Sequence, residues 1–304
     1  MNILLIAGGW SSEREVSLSG AKGIHEALLR LGHDVTFFDP RFSLDGLLTA
    51  AREHDFAFIN LHGSPGEDGM VQALLESVRC PFQGSGAVGS FLALNKSVSK
   101  QIFLDNGLPT PEWEFLASRP ADDWKPKFAC PLFIKSNTGG SSLGLSRITC
   151  KSELPQALDT LFATESELIV EPLVEGVEVT CGVLGEEALP PVLIEPADCS
   201  TFFDYEAKYC PGGAKEICPA PLPETVTAQV QMLALAAHNA LGLRGYSRAD
   251  FIYSPDGSLH LLEVNTLPGM TPTSLLPQEA AAIGLSFDDL IAKLIELGLT
   301  HSQT

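Results

Sequence analysis

The chain carries little positive charge for its length. Its 304 residues include 19 Lys and Arg against 38 Asp and Glu, which gives a formal net charge of −19 at pH 7. Nucleic-acid phosphates select basic patches, so this balance argues against DNA or RNA as a partner. A small phosphorylated ligand stays compatible with it, because such a ligand needs only a few well-placed Lys and Arg side chains.

Long apolar runs and paired cysteines are missing as well. No stretch approaches the roughly 20 apolar residues of a membrane span, and the opening MNILLIAGG is too short and lacks the basic leader of a signal peptide. The seven cysteines are scattered and contain no C-x-x-C, which makes zinc an unfavourable interpretation. We therefore expect reduced thiols in a cytoplasmic protein that does not associate with membranes.

The order of predicted elements indicates two or three modules. Residues 1–89 alternate apolar strands with amphipathic helices, a pattern typical of a doubly wound parallel sheet and of the α/β class. Residues 90–180 mix one helix with two predicted strands around a Gly/Ser loop and two further strands with a turn at Glu175 and Gly176. Residues 181–304 combine a loop rich in Pro and Gly, a long helix, two strands and a C-terminal helix, so the central and last parts are predicted to be α+β.

Two strands in the last segment end in polar side chains. In LHLLEVNTLPGM, residues 259–270, Glu263 and Asn265 lie two apart and therefore share a face of the strand; in SRADFIY, Arg248 and Asp250 do the same. If Asp250 and Glu263 lie about 4 Å apart on neighbouring strands, their repulsion is about 1 kcal/mol in water and about 4 kcal/mol at an effective dielectric of 20. A hard cation such as Mg²⁺ removes that penalty, although two unrelated strand ends would give the same pattern.

Two Gly-rich loops have open interpretations. AGGWSSE lacks the spacing of a dinucleotide-binding motif, and Glu13 in the following helical turn is either a capping acid or a residue that faces a ligand. NTGGSSLG follows Lys135 at the end of a predicted strand. It is either an ordinary hairpin turn or a flexible loop that folds over phosphates.

Four stretches together resemble a known family: GGWSSEREVSLSGA, LHGSPGEDGMVQALLE, TFFDYEAKY, and SRADFIY followed by LLEVNTLPGMTPTSLLP. Their order and intervals are similar to those of the D-alanine–D-alanine ligases of the ATP-grasp superfamily. The resemblance implies a three-domain ATP-grasp architecture, with the domains at 1–89, 90–180 and 181–304. It also implies an enzyme of peptidoglycan synthesis that joins two D-alanines through an acyl phosphate, with ATP as the phosphoryl donor.

The resemblance assigns nucleotide and metal roles to residues of this sequence. Lys96 and Lys135 are expected at the nucleotide phosphates and Lys208 near the transferring phosphoryl group. Glu171 is expected at the adenine and Glu178 at the ribose. The implied metal is Mg²⁺, as two ions that Mn²⁺ can replace, and the implied ligands are Asp250, Glu263 and Asn265.

Substrate roles follow from the same resemblance. Glu13 is expected to bind the ammonium of the first D-alanine, with His62 nearby. Arg248 and the backbone N–H of Gly269 resemble the groups that stabilise the oxyanion. The remaining implied residues are Ser274 and the amide of Leu275 for the second carboxylate, and a hydrogen-bonded trio of Glu13, Ser141 and Tyr209.

Some residues depart from the family pattern or bear on alternatives. The sequence differs from the usual family residues at Asn95, at Trp10 and in the 136–140 stretch. These differences concern the mobility of the loop and the affinity for ATP. Tyr209 resembles the dipeptide-forming type rather than relatives that use D-lactate. A homodimer is expected by resemblance. The alternatives are an ATP-grasp ligase for another carboxylate and a nucleotide-binding protein without ligase activity, which would lack Arg248 or the metal set.

Overall fold

The computed structural model describes residues 1–121, 123–140, 144–196 and 214–301. Its strands are β1 Asn2–Ala7, β2 Asp34–Phe38, β3 Phe56–Asn60, β4 Glu114–Leu116, β5 Leu132–Ser136, β6 Leu145–Ile148, β7 Leu168–Pro172, β8 Val177–Leu184, β9 Glu187–Ala188, β10 Val192–Pro196, β11 Ala214–Ile217, β12 Tyr246–Tyr253 and β13 Leu259–Asn265. Its α-helices are α1 Arg14–Arg30, α2 Leu47–Arg52, α3 Met70–Ser77, α4 Ala87–Leu94, α5 Lys96–Asp105, α6 Leu154–Phe162, α7 Glu224–Ala240, α8 Leu275–Ala282 and α9 Phe287–His301.

The N-terminal sheet has the order β2-β1-β3, and both pairings are parallel. The central strand β1 is buried from Ile3 to Ala7 because helices cover both faces of such a sheet. The C-terminal helix α9 packs into this first core through Leu290, Ile291 and Leu294. The predicted parallel N-terminal sheet is confirmed, and the chain's last helix returns to complete its core.

The central sheet has four antiparallel strands in the order β4-β7-β5-β6. Strand β5 buries Leu132 and Ile134 on one face, where they pack with Leu168 and Val170 of β7. Strands β5 and β6 form the predicted hairpin around the Gly/Ser loop. The other face of β5, which carries Lys135, is thereby left for a ligand or a polar partner.

The third sheet has six strands, in the order β11-β10-β8-β12-β13 with β9 paired to β8. Helix α7 covers one side of it, and Phe103 of α5 belongs to the same core. The two strands predicted on either side of Glu175 and Gly176 are present as β7 and β8, and they lie in different sheets. The turn carries the chain from one sheet to the next because the partners of β8 come from β10 and β12.

The mixed α/β class with an antiparallel central and C-terminal part is confirmed by the three sheets. The domain boundaries stay predictions, and the one at 180/181 falls within β8, Val177–Leu184. Among the helices of the described ranges, none combines the length and the apolar character that crossing a membrane requires.

Candidate active site

One face of the third sheet brings the predicted polar residues together. Across β12 and β13, Asp250 is the register partner of Glu263 and Arg248 that of Asn265. The alternate residues of β12, Ala249 and Phe251, are buried on the other face, which fixes the orientation of the strand. The ladder shifts register between Asp250 and Phe251, a bulge at the point where the polar pairs begin.

Asp250 is the centre of this polar face. Arg248 donates to it twice, from Nε to Oδ1 and from Nη2 to Oδ2, both at 2.8 Å. Thr180 Oγ1 donates to Oδ1 at 2.5 Å and Asn265 Nδ2 to Oδ2 at 3.0 Å. Burial would lower the pKa of Arg248, but the Asp250 carboxylate outweighs it and raises that pKa above its ordinary value. Arg248 is thus a fixed, permanent cation.

Helix α5 brings a lysine to the same face. Lys96 Nζ lies 3.0 Å from Glu263 Oε2 and donates to the carbonyl oxygen of Gly139 at 2.6 Å. It thereby links the C-terminal acids to the Gly/Ser loop of the central sheet. A lysine between a carboxylate and a Gly-rich loop is suitably placed to meet a phosphate group.

A second lysine-rich cluster surrounds Glu171 at the end of β7. Its carboxylate pairs with Lys135 of β5 and, at 2.6 Å, with Lys100 Nζ of α5. Burial would raise the pKa of Glu171, but the two lysines together lower it below its ordinary value. Lys100 also donates to Thr110 Oγ1 at 2.6 Å. The sequence interpretation missed Lys100, although its position one helical turn after Lys96 is a signal that could have identified it.

Glu178 lies on β8 of the third sheet, half-buried. Burial would lower the pKa of Lys135, but Glu171 and, by a smaller amount, Glu178 raise it above its ordinary value. The Glu178 carboxylate is therefore close to Lys135. The predicted adenine and ribose contacts therefore flank one lysine at the junction of the central and third sheets.

The first domain contributes a buried acidic corner. A Cβ added to Gly140 would lie 3.2 Å from Glu13 Oε2, and one added to Gly63 would lie 3.6 Å from it, so Glu13 sits between the LHG loop and the Gly/Ser loop. His62 is buried, and its Nε2 has no hydrogen-bond partner among the described residues. Burial, opposed by Glu13, lowers the pKa of His62 and favours its neutral form.

Glu67 lies in the same corner and was not predicted from the sequence. Its Oε2 accepts the Gly63 N–H at 2.7 Å. Burial and, second, the neighbouring Glu13 raise its pKa to about 8. An acid in a Gly-rich loop is usually solvated, so only the fold could identify Glu67 as buried.

The loop after β13 leads to the start of α8. A Cβ on Gly269 would lie 2.8 Å from Ser274 Oγ, so the backbone of that loop passes close to the helix start. Ser274 is the residue before the helix, and its Oγ accepts the Thr271 N–H at 2.9 Å. The free amide of Leu275 at this helix start suits a carboxylate.

Three predicted residues, Ser141, Lys208 and Tyr209, lie outside the described residues. Within the described ranges, no three His, Cys, Asp or Glu side chains come together as a metal cluster. The predicted metal set differs from such a cluster in having two carboxylates and one amide. Its assignment, like those of the other site residues, stays a prediction.

Comparisons with known proteins identify the family of the chain. The family described as D-ala D-ala ligase C-terminus matches residues 102–296. Over 299 residues the chain is 69% identical to a D-alanine–D-alanine ligase of Oleidesulfovibrio alaskensis, across 98% of this chain and 97% of that protein. The chain belongs to the D-alanine–D-alanine ligase family.

Solved structures give the same result for the fold. The D-alanine–D-alanine ligase from Bacillus anthracis matches with a TM-score of 0.89 at 36% identity, covering 100% of this chain and 99% of that one. The Bacillus anthracis ligase complexed with ATP matches with a TM-score of 0.88 at 33% identity, with coverage of 100% and 99%. The predicted ATP-grasp fold is thereby confirmed.

Proposed function

We propose that this chain joins two D-alanine molecules into D-alanyl-D-alanine, with conversion of ATP to ADP and phosphate, for peptidoglycan precursors. Family membership over almost the whole chain supports it. The observation that carries it is the meeting of Arg248 and the Asp250–Glu263 pair with Lys96 on one sheet face. Phosphoryl transfer depends on positioned charge more than on a covalent nucleophile, and this face supplies that charge.

In the first step the donor D-alanine carboxylate attacks the γ-phosphorus of ATP, and ADP leaves. Glu13 binds the donor ammonium, with the neutral His62 beside it. Lys96 and Lys135 contact the nucleotide phosphates, and Lys208, outside the described residues, meets the transferring group. The protein holds the carboxylate and the γ-phosphoryl group in line, so the two reactants meet in an effectively unimolecular step.

The nucleotide's other end lies at the junction of the central and third sheets. Glu171 accepts from the adenine amino group and Glu178 from the ribose hydroxyls. Lys135 pairs with Glu171 and is close to Glu178, and its own charge faces the phosphates. An ionised carboxylate is the stronger acceptor, so the lysines that lower the pKa of Glu171 support its contact with the adenine amino group.

In the second step the neutral acceptor amine attacks the acyl phosphate carbon, and the new C–N bond gives a tetrahedral oxyanion. The C–O bond then breaks, phosphate leaves with its electron pair, and the extra proton on nitrogen passes to the phosphate. Arg248 and the Gly269 N–H stabilise the oxyanion, because charge developing there meets donors that are already fixed. Ser274 and the Leu275 amide hold the acceptor carboxylate.

Closure of the site involves residues from several segments. The resemblance gives Glu13 a hydrogen-bonded trio with Ser141 and Tyr209, which lie outside the described residues, and such a trio would join the first domain to the Gly/Ser loop and to the 198–223 segment. Acyl phosphates react with water, so a lid that excludes water protects the intermediate. Tyr209 favours D-alanine over D-lactate as acceptor.

Asp250, Glu263 and Asn265 would hold Mg²⁺, as two ions that Mn²⁺ can replace. The donors fit, because carboxylate and amide oxygens are what this hard cation prefers. Asn265 turns its Nδ2 toward Asp250, and a half-turn of the amide presents Oδ1 instead. When bound, the cation neutralises charge on the phosphate oxygens.

The remaining expectations concern the setting of the enzyme. We infer a cytoplasmic homodimer whose partners are ATP and D-alanine and not nucleic acid. The excess of acidic residues supports the last point. Analytical ultracentrifugation tests the dimer, which a single species at the monomer mass of 32.5 kDa would contradict.

The decisive test is phosphate release from ATP and Mg²⁺ with D-alanine, with L-alanine, or with D-lactate plus D-alanine, and identification of products by mass. We expect phosphate matched by D-alanyl-D-alanine in the first reaction and little in the second. ATP binding without D-alanine-dependent phosphate would instead indicate another carboxylate substrate. Preferential D-lactate use at neutral pH would contradict the role given to Tyr209.

A further inference from the structure

Glu279 on α8 is a fully buried acid that has no part in the roles above. Its Oε1 accepts the backbone N–H of Gly182 in β8 at 2.8 Å. Its Oε2 is buried without a hydrogen-bond partner among the described residues. Acids are rarely buried unless they are paired, so this placement calls for a reason.

The carboxylate fills a specific gap in the sheet. Gly182 is the register partner of Arg248, and residues directly opposite each other share a face. A Cβ on Gly182 would lie 2.4 Å from Glu279 Oε2 and 2.5 Å from Leu276 Cδ1. Glu279 therefore occupies the place of a side chain at 182, in the same cross-strand row as Arg248 and Asn265.

The same helix carries the acceptor subsite at its start. Helix α8 begins after Ser274, and Glu279 lies four residues after Leu275. Because the helix is a rigid rod of 8 residues, the bond from Glu279 to Gly182 fixes how far Ser274 and the Leu275 amide lie from Arg248. A shift of the helix would move the acceptor carboxylate relative to the oxyanion site.

We propose that Glu279 is a positioning residue for the acceptor amino acid, because it anchors α8 to β8 beside Arg248; this rests on the proposed function. Burial raises the pKa of Glu279 to about 8, and the Gly182 N–H and Arg248 only partly oppose that effect. Near neutral pH it is therefore mostly an uncharged acid. It holds the helix by hydrogen bonding and packing rather than by charge.

The test separates the acceptor from the rest of the reaction. Hydroxylamine attacks an acyl phosphate to give a hydroxamate and phosphate, and it has no carboxylate for Ser274 and Leu275 to hold. In Glu279→Ala we expect dipeptide formation to need about tenfold more D-alanine as acceptor, the effect of stranding a buried N–H. Hydroxamate formation from ATP and D-alanine should stay within about twofold of the unaltered chain.

The conservative variant and a surface variant complete the design. Glu279→Gln retains an oxygen for the Gly182 N–H and should recover most of the acceptor dependence lost in Glu279→Ala. Ala282→Gln, an exposed position on the same helix, is the matched control and should leave both readouts unchanged. Gly182→Ala, whose methyl group would displace the carboxylate, should reproduce the loss even if Glu279→Ala does not fold.

Several results would overturn the inference. They are an unchanged acceptor dependence in Glu279→Ala or Gly182→Ala, equal losses in dipeptide and hydroxamate formation, and a Gln variant as impaired as the Ala variant. If the unaltered chain makes no dipeptide, the proposed function fails together with this inference. If it makes dipeptide and the variants lose nothing selectively, this inference alone fails.

Discussion

Two buried carboxylates, Glu171 and Glu67, show opposite responses to being taken out of water. Glu171 lies between Lys100 and Lys135, and its pKa is lowered although burial opposes that shift. Glu67 has the Gly63 N–H as a hydrogen-bond donor and the acid Glu13 as a neighbour, and its pKa is raised to about 8. Burial sets the direction of the shift only when no cation reverses it.

The difference divides the site into two kinds of region. In the corner formed by the first domain, Glu67 retains its proton because it is buried beside a second acid, Glu13. The junction around Glu171 is built to keep charge, because lysines from two different elements converge on one acid. Asp250 is likewise paired with a cation, Arg248. These lysines and Arg248 supply the fixed positive charge that the transfer of an anionic group requires.

Removal of the cation from the Asp250 region should have the largest effect. We expect Arg248→Ala to lower the rate of dipeptide formation about a hundred- to a thousandfold, since a fixed oxyanion donor is lost. The measurement is steady-state phosphate release. Arg30→Ala is the control, because Arg30 is half exposed and pairs with Asp288 on the surface. A loss below about tenfold in Arg248→Ala would contradict its assigned role.

The Glu171 region can be altered in the same way. Lys100→Met removes the fully buried one of the two lysines that pair with Glu171 and should lower the free energy of unfolding by about 3 kcal/mol, measured in urea. The equivalent change in an exposed pair, Lys293→Met beside Glu296, should cost less than about 1 kcal/mol. Equal costs in the two variants would mean that burial of the first pair has no energetic consequence.

The raised pKa of Glu67 should make the free energy of unfolding depend on pH. Glu67 has an ordinary pKa of 4.5 and a folded pKa of about 8, so the folded state holds a proton that the unfolded state releases. Its contribution is fully present below about pH 4.5 and is lost as pH rises toward 8, by up to about 1.4 kcal/mol per pH unit. In Glu67→Gln we expect a flatter dependence of the unfolding free energy between about pH 5 and pH 8.

The pKa of Glu171 is shifted in the opposite direction, so its effect on the pH dependence of the unfolding free energy has the opposite sign. Its lowered folded pKa gives stability that is present above its ordinary pKa of 4.5 and lost as pH falls. Glu171→Gln should therefore remove this loss of stability on the acid side of the profile. If the acid side were the same in Glu171→Gln as in the unaltered chain, the contrast between the two regions would be wrong.

The strands that form the polar face were predictable because their signal is local. Alternation with a period of two placed Arg248 with Asp250 and Glu263 with Asn265, and the structure has these strands at Tyr246–Tyr253 and Leu259–Asn265. Turn residues bounded them, and apolar residues such as Phe251 fixed which face is buried. The bulge beside Asp250 was not predicted, since it depends on the pairing of two strands.

Other features depended on partners distant in the chain. The turn at Glu175 and Gly176 connects strands of two different sheets, because β8 pairs with β10 and β12 and not with β7. The sequence interpretation assigns no role to Lys100 or to Glu279. Only the packing of α5 against β7 and of α8 against β8 buries their polar ends.

By itself the sequence determined the local elements, the polar rows of β12 and β13, and the family to which the chain belongs. Periodicity and turn chemistry act over a few residues, so they can be recognised without knowledge of the fold. The tertiary structure decided which acids keep a proton and which keep a charge. Burial favours the protonated form of an acid, and nearby cations and hydrogen-bond donors favour the ionised form. These cations and donors belong to segments that are distant in the chain and become neighbours only in the folded protein.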